Sequence, residues 1–120
     1  MAKSIPDPIG DLLPLTPAVF HILFALAEGE KHGYAIMKEV EIVSGGQFTM
    51  GPGTLYSTIQ RLLELGLIEE TSTSSDAERR RRSYRLSRRG RQIFEAELNR
   101  MESLVRSAQR RRLVPRAARS

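Results

Sequence analysis

Apolar residues recur at helical spacing in four stretches of the chain and alternate with polar ones in a fifth. Val19, Ile22, Leu23 and Leu26 share one face at three- and four-residue steps. Phe20 and Phe24 widen that stripe, so this helix is expected to be buried on most sides. Thr16-Pro17 supplies its start, with Thr at the N-cap and Pro in the first turn, and Gly29 ends it. Gly33 opens a second helix through Val43, on which Tyr34, Met37, Val40 and Glu41 recur, and Gly45-Gly46 stop it. Gly51-Pro52-Gly53 introduces a third. Leu55, Ile59, Leu62 and Leu63 form its core stripe, and Ser57, Thr58, Gln60, Arg61 and Glu64 take the other side. Gly66 provides a left-handed stop.

The period then changes. Leu67 to Ser72 predicts a short strand, residues 73–78 a polar turn, and Arg82 to Leu86 a return strand with Tyr84 and Leu86 facing inward. Ser87 caps a last helix over 88–112, before Pro115. On it Phe94, Leu98, Met101, Val105 and Ala108 step by 4, 3, 4 and 3, a heptad seam. At 1.5 Å per residue that helix is about 37 Å long, and so small a chain cannot cover its stripe; a partner is expected. Residues 1–14, with Pro6, Pro8, Gly10 and Pro14, predict an irregular arm with a turn around Asp11–Leu13. The fold class is mainly α with a small β-hairpin. Three helices and a hairpin make a winged helix-turn-helix, here followed by a long C-terminal helix.

Composition changes this picture chiefly through charge. The 120 residues suit one domain. The absence of Cys removes disulfides and thiolate chemistry, no apolar run is long enough to span a bilayer, and the lone N-terminal Lys3 makes a poor signal peptide. A cytoplasmic location follows as the expectation. Residues 1–78 hold 4 Lys/Arg against 11 Asp/Glu, whereas residues 79–120 hold 15 Arg against 3 Glu. That asymmetry points to a polyanionic partner, most often nucleic acid. His21 and His32 have no second ligand at metal spacing, so no metal or cofactor is expected. Glu39 with Glu41, or Glu69 with Glu70, would be the acid–base pairs of an enzyme, but nothing nucleophilic accompanies them. Gly51-Pro52-Gly53-Thr54 lacks the Lys-Ser/Thr ending and preceding strand of a phosphate loop.

The ordered set of short segments resembles the PadR family of bacterial transcriptional regulators, over about residues 15–92. Its parts are Leu15-Thr16-Pro17, His32-Gly33-Tyr34-Ala35-Ile36, Gly53-Thr54-Leu55-Tyr56, Arg61-Leu62 with Leu65-Gly66-Leu67-Ile68, Ser83-Tyr84-Arg85-Leu86-Ser87, and Gly90-Arg91. The length and single C-terminal helix look like the short subgroup. The resemblance implies a homodimeric repressor that dimerises through the last helix with help from the first. The third helix would enter the major groove, the wing would follow the backbone, and a small aromatic molecule would release the DNA. Two departures stand out: the junction reads Ser87-Arg88-Arg89-Gly90, where members often place Thr and an acidic residue, and the chain lacks the Trp with which some short members stack flat aromatics.

The expected division is therefore an arm (1–14), a winged DNA-binding domain (15–87), a dimerisation helix (88–112) and a basic tail (113–120). Thr54 and Tyr56 can donate hydroxyls to phosphate at the third helix's N-terminus, while Ser57, Gln60 and Arg61 can reach base edges. Tyr56 can alternatively pack beside the core. Lys31 and Tyr34, at the start of the second helix, join them, and His32 either touches phosphate or caps. Arg79, Arg80, Arg81 and Arg82 repel one another, which a phosphate backbone or minor groove would relieve. Phe94, Leu98, Met101, Val105 and Ala108 form the dimer seam, with Glu95, Glu97 and Glu102 offered as surface ion-pair partners of Arg100, Arg106 and Arg110–Arg112. Phe20, Phe24, Phe94, Leu98 and Met101 are candidate effector-pocket residues, or simply dimer core. The alternative reading is a protein–protein adaptor with only sequence-blind DNA affinity. A general RNA or nucleoid binder fits the tail but not the seam.

Overall fold

Thr16 marks the point at which the chain enters its first helix. The Thr16 hydroxyl accepts from the Val19 N–H at 3.3 Å, and Pro17 opens α1 (Pro17–Ala27). The computed structural model describes residues 12–71 and 82–114. Among them α1 is followed by β1 (Lys31–His32), α2 (Gly33–Val43), α3 (Pro52–Glu64), β2 (Ile68–Thr71), β3 (Ser83–Leu86) and α4 (Arg88–Arg110). The turn expected around Asp11–Leu13, the turn at 73–78 and Pro115 fall wholly or partly outside the described residues. The last helix ends two residues short of its expected bound.

The helical core closes around α1, whose Ile22, Leu23, Ala25 and Leu26 are buried against Ile36 and Val40 of α2 and Leu55, Ile59 and Leu62 of α3. Each fully buried Leu or Ile contributes about 1.5–3 kcal/mol over an exposed one, so this apolar junction is the main source of cohesion. The stripe on α2 differs from expectation. Tyr34 is 60% exposed and Glu41 is exposed, while Ile36 and Gly33 face inward with Val40. Positions 33, 36 and 40 also keep helical spacing. The sequence alone leaves two registers, and packing against α1 selects the one without the aromatic ring. Leu63 is only half-buried, at the edge of the α3 stripe.

The expected hairpin is part of a three-stranded antiparallel sheet of order β1-β3-β2. Lys31 lies opposite Tyr84 and His32 opposite Ser83, a two-residue pairing too short to show as an alternating pattern. On the other side Ile68, Glu69, Glu70 and Thr71 face Leu86, Arg85, Tyr84 and Ser83. Period-2 alternation puts Ile68, Tyr84 and Leu86 on the core face and Glu69 and Arg85 on the other. His32 then leaves β1 as the N-cap of α2, its Nδ1 accepting from the Ala35 N–H at 3.4 Å.

The α3–β2 turn anchors the last helix. Gly66, at φ +75°, completes a Schellman stop, with the Leu67 N–H donating to the Leu62 carbonyl at 2.9 Å and the Gly66 N–H to Leu63 at 3.1 Å. Ser87 locks onto this turn. Its hydroxyl donates to the Gly66 carbonyl at 2.6 Å, its N–H donates to the Leu67 carbonyl at 3.0 Å, and its Oγ accepts from the Gly90 N–H at 3.0 Å. Gly90 passes so close to the Leu67 backbone that a Cβ there would collide with the Leu67 carbonyl oxygen. Beyond this clamp Ile93 and Phe94 are buried in the core, and Ile93 has the inward position that the heptad pattern did not single out.

Glu97 is the other correction on this helix. It pairs with Arg100 as expected, but it is 1% exposed, a buried carboxylate and not a surface one. One carboxylate oxygen accepts from the Leu15 N–H at 3.0 Å; Arg100 donates to both oxygens, at 2.6 and 3.1 Å. The Arg100 guanidinium, joined by the Leu15 N–H, outweighs burial and holds the Glu97 carboxyl below its usual range. The chain segment before α1 is thereby tied to the middle of α4.

Gly90→Ala is expected to destabilise the fold by about 1–3 kcal/mol in chemical denaturation, through the enforced shift of α4 from Leu67. Gly53→Ala, where a Cβ meets open space in a helix, should be neutral or slightly stabilising. The lowered Glu97 carboxyl contributes stability that is fully present above the ordinary carboxylate range and is lost as pH falls through its depressed folded value. Melting temperatures of wild type and Glu97→Gln should therefore differ most near neutral pH and converge on acidification; parallel curves would contradict this role.

Candidate nucleic-acid interface

α3 begins without a side-chain cap. Gly51 holds the N-cap position, Pro52 the first turn, and Gly51, Pro52, Gly53 and Thr54 are all exposed. The uncapped N–H groups and the positive end of the helix dipole are therefore open to an anion. With Leu55, Ile59 and Leu62 buried, the opposite face carries Ser57, Gln60, Arg61 and Glu64, all exposed. The Ser57 hydroxyl donates to the Thr54 carbonyl at 3.3 Å, and the Gln60 amide donates to Glu64 at 3.2 Å. Arg61 makes no ion pair among the described residues. This face combines a guanidinium, an amide and a hydroxyl at helical spacing, the groups that read guanine, adenine and either base in a major groove.

Tyr56 fixes how α3 meets the rest. Its hydroxyl lies against the α-carbon of Gly33, where any side chain would collide with it. The bare α-carbon of Gly33 lets the tyrosine cross α2 there, and a side chain at that position would push the ring, which is 44% exposed at the rim, outward. Tyr56 thus packs beside the core as well as facing outward. Across the junction stands the buried Tyr84 of β3. Burial foremost, then the Glu70 carboxylate and Tyr56, push its hydroxyl above the ordinary tyrosine value, with Arg82 acting in the opposite sense. Tyr84 accordingly marks where α3, β2 and the base of the wing converge.

The wing strands carry paired charge. Arg82 Nε lies 3.1 Å from Glu70 and Arg85 Nε 3.0 Å from Glu69. Glu69 and Glu70, considered in the sequence as an acid–base couple, instead each neutralise one arginine. Arg79, Arg80 and Arg81 lie outside the described residues. Lys31 is half-buried and donates from Nζ to the Ala25 carbonyl at 2.7 Å, at the negative end of α1. Tyr34 stands out from α2 with the Lys38 ammonium 5.6 Å above its ring centroid. The contributions of Gly33 and Glu70 were not read from the sequence, and Tyr84 was read only as an inward-facing strand residue. A glycine at a helix start was visible there, but the ring that needs it comes from another helix.

The residues assigned to the seam and effector pocket divide in two. Phe94 is buried and packs at 5.7 Å from Phe20 and 5.6 Å from Phe24, which themselves lie 5.8 Å apart between ring centroids. Leu98 and Val105 are exposed, Met101 and Ala108 half-buried, and Leu104 is 58% exposed beside them. Past Glu97 an apolar stripe of α4 is therefore uncovered. No described helix is long and apolar enough to cross a membrane, and no cluster of metal-ligating side chains occurs among the described residues.

Comparisons with known proteins agree on this architecture. An uncharacterized 37.1 kDa protein in transposon TN4556 of Streptomyces fradiae is 37% identical over 83 residues; these are 69% of this chain but 22% of that longer protein. Transcriptional regulator Rv3488 of Mycobacterium tuberculosis is 35% identical over 86 residues, covering 72% of this chain and 77% of its own. Among solved structures, Bacillus subtilis PadR in complex with operator DNA superposes with a TM-score of 0.62 at 24% identity, over 71% of this chain and 47% of that one, a likeness of fold. The model of the transcriptional regulator PadR-like family matches residues 22–96, from the core of α1 to the first turns of α4. The chain belongs to the PadR-like family of transcriptional regulators.

Proposed function

We propose that the chain binds double-stranded DNA sequence-specifically, as a homodimer, and represses transcription from a near-palindromic operator. The observation that carries this reading is the exposed Ser57, Gln60 and Arg61 face of α3, set beside the wing through Tyr56 and Tyr84. A helix held in that way can enter a major groove while the wing meets the adjoining backbone. The operator complex of Bacillus subtilis PadR, built on the same fold, supports it. In this reading residues 15–87 are the DNA-binding domain, including Lys31, Tyr34 and Thr54 as well as the wing arginines, and residues 88–112 the dimerisation helix.

The dimer rests on the uncovered stripe of Leu98, Met101, Leu104 and Val105 on α4, a helix of 23 residues that reaches beyond its own core. Pairing with a second copy would bury this stripe and set two α3 helices about a two-fold axis, which is why a near-palindrome is expected. A releasing ligand belongs to the same reading. The Phe20, Phe24 and Phe94 rings fill the space between one another within one chain, so an aromatic effector would lodge between protomers, near Met101.

The first test is binding of the purified protein to a duplex from its own upstream region against a scrambled duplex, at physiological salt. A preference of about 1,000-fold or more is expected, and equal, weak binding to both would place the operator elsewhere or favour an adaptor or non-specific binder. Arg61→Ala should cost about 1–3 kcal/mol, concentrated at one base position across a set of singly substituted operators. Uniform loss on every sequence would assign Arg61 to phosphate instead. Val105→Lys should shift the mass seen by sedimentation equilibrium from dimer to monomer and weaken operator binding with it. A Val105→Lys protein that remains dimeric would contradict the α4 interface.

A further inference from the structure

The wing carries its own counter-charge, and the two ion pairs differ in position. Glu69 and Arg85 are direct cross-strand partners on the face turned away from the core. Glu70 is opposite Tyr84, and Arg82 stands two residues before Tyr84, so the Glu70–Arg82 pair lies diagonally across the strands on the core face. The Tyr56 hydroxyl of α3 lies on Gly33, whose neighbour His32 pairs with Ser83, the residue next to Arg82. The second pair therefore occupies the angle between the wing and the first turns of α3, and both its members remain accessible to solvent.

We propose that Glu70 is an affinity-limiting residue, whose ion pair neutralises Arg82 and so weakens the hold of that arginine on a phosphate. The inference rests on the DNA-binding reading and adds a specific cost to it. The terminal nitrogens of Arg82 can still reach a phosphate, but its Nε edge is committed to Glu70, and the carboxylate cancels much of the charge that the phosphate would meet. This neutralisation acts on the sequence-independent part of the affinity, because phosphate contacts position the protein without reading bases. Glu70 would thus keep the protein from being held on arbitrary DNA, while Ser57, Gln60 and Arg61 retain the discrimination. Glu69, on the opposite face of the wing, holds Arg85 without standing at the angle with α3, and serves as an internal control.

The experiment is a salt titration of binding by the full chain to the upstream duplex and to a scrambled duplex, for wild type, Glu70→Gln, Glu69→Gln, Arg82→Ala and the Glu70→Gln/Arg82→Ala double variant. Glu70→Gln is expected to tighten binding to both duplexes by about fivefold and to steepen the slope of log K against log salt by about one. The ratio between duplexes should be preserved. Glu69→Gln should behave as wild type, and the gain from Glu70→Gln should vanish in the Arg82→Ala background. A gain that persists without Arg82, or an equal gain from Glu69→Gln, would reduce the effect to general repulsion and overturn the proposal. No gain from Glu70→Gln in a wild type that does bind DNA would overturn it too and leave the DNA-binding reading intact. A wild type that binds neither duplex would instead remove that reading. Circular dichroism melts establish that each variant is folded, and Glu70→Ala repeats the charge removal should the Gln variant melt early.

Discussion

α4 packs backbone against backbone on the α3–β2 turn, and the geometry of the remaining parts depends on this contact. The Leu67 carbonyl receives the Ser87 N–H, and Gly90 lies almost on it. Ser87 also reaches the Gly66 carbonyl while capping α4. One turn thus terminates the candidate recognition helix, begins the wing and directs the long helix outward. A contact made by backbone atoms and one small side chain leaves little slack, because neither a peptide group nor a bare α-carbon can rotate out of the way. The position of α3 relative to α4 is set at this point.

Electrostatics works against simple expectations from net charge. The first two-thirds of the chain is acidic, and most of the positive charge lies in the last third. Yet the candidate reading helix comes from the acidic part. The fold reconciles the two by bringing β3 back between β1 and β2, so that arginines late in the sequence stand next to glutamates of β2 and beside α3. Where charge is buried, it is fully paired: Glu97 accepts from Leu15 and Arg100, and no buried side-chain nitrogen or oxygen among the described residues lacks a partner. Removing water from such a group would otherwise cost several kcal/mol. The exposed pairs of the wing are of another kind. They are weak individually, because solvent screens both members of each pair.

The legibility of the chain follows the range of its interactions. Helix starts at Thr16, Pro52 and Ser87 and the stop at Gly66 depend on neighbours within a few residues, and each was read where it stands. The inward set on α3 was also legible, because Leu55, Ile59 and Leu62 leave one register only. On α2 both Tyr34 and Ile36 begin an acceptable stripe, and the choice was made by packing against α1. β1 has two residues and exists only because β3 pairs with it. Glu97 looked like an exposed heptad-flanking carboxylate, and it became a buried acceptor because Leu15, 82 positions earlier, presents an N–H there.

What the sequence determined by itself was therefore the order and ends of the helices, the wing strands, the polar face of α3, the charge asymmetry and the excess apolar stripe of α4. All are encoded in residue type and short-range periodicity. What only the tertiary structure decided was which charges neutralise each other, why Gly90 must be bare, which ring crosses Gly33, and how α3, Tyr84 and Arg82 come to lie close together. Those outcomes depend on atoms brought together from distant positions. Local propensity carries no information about them, because the energy that selects them is gained only when the packed elements meet.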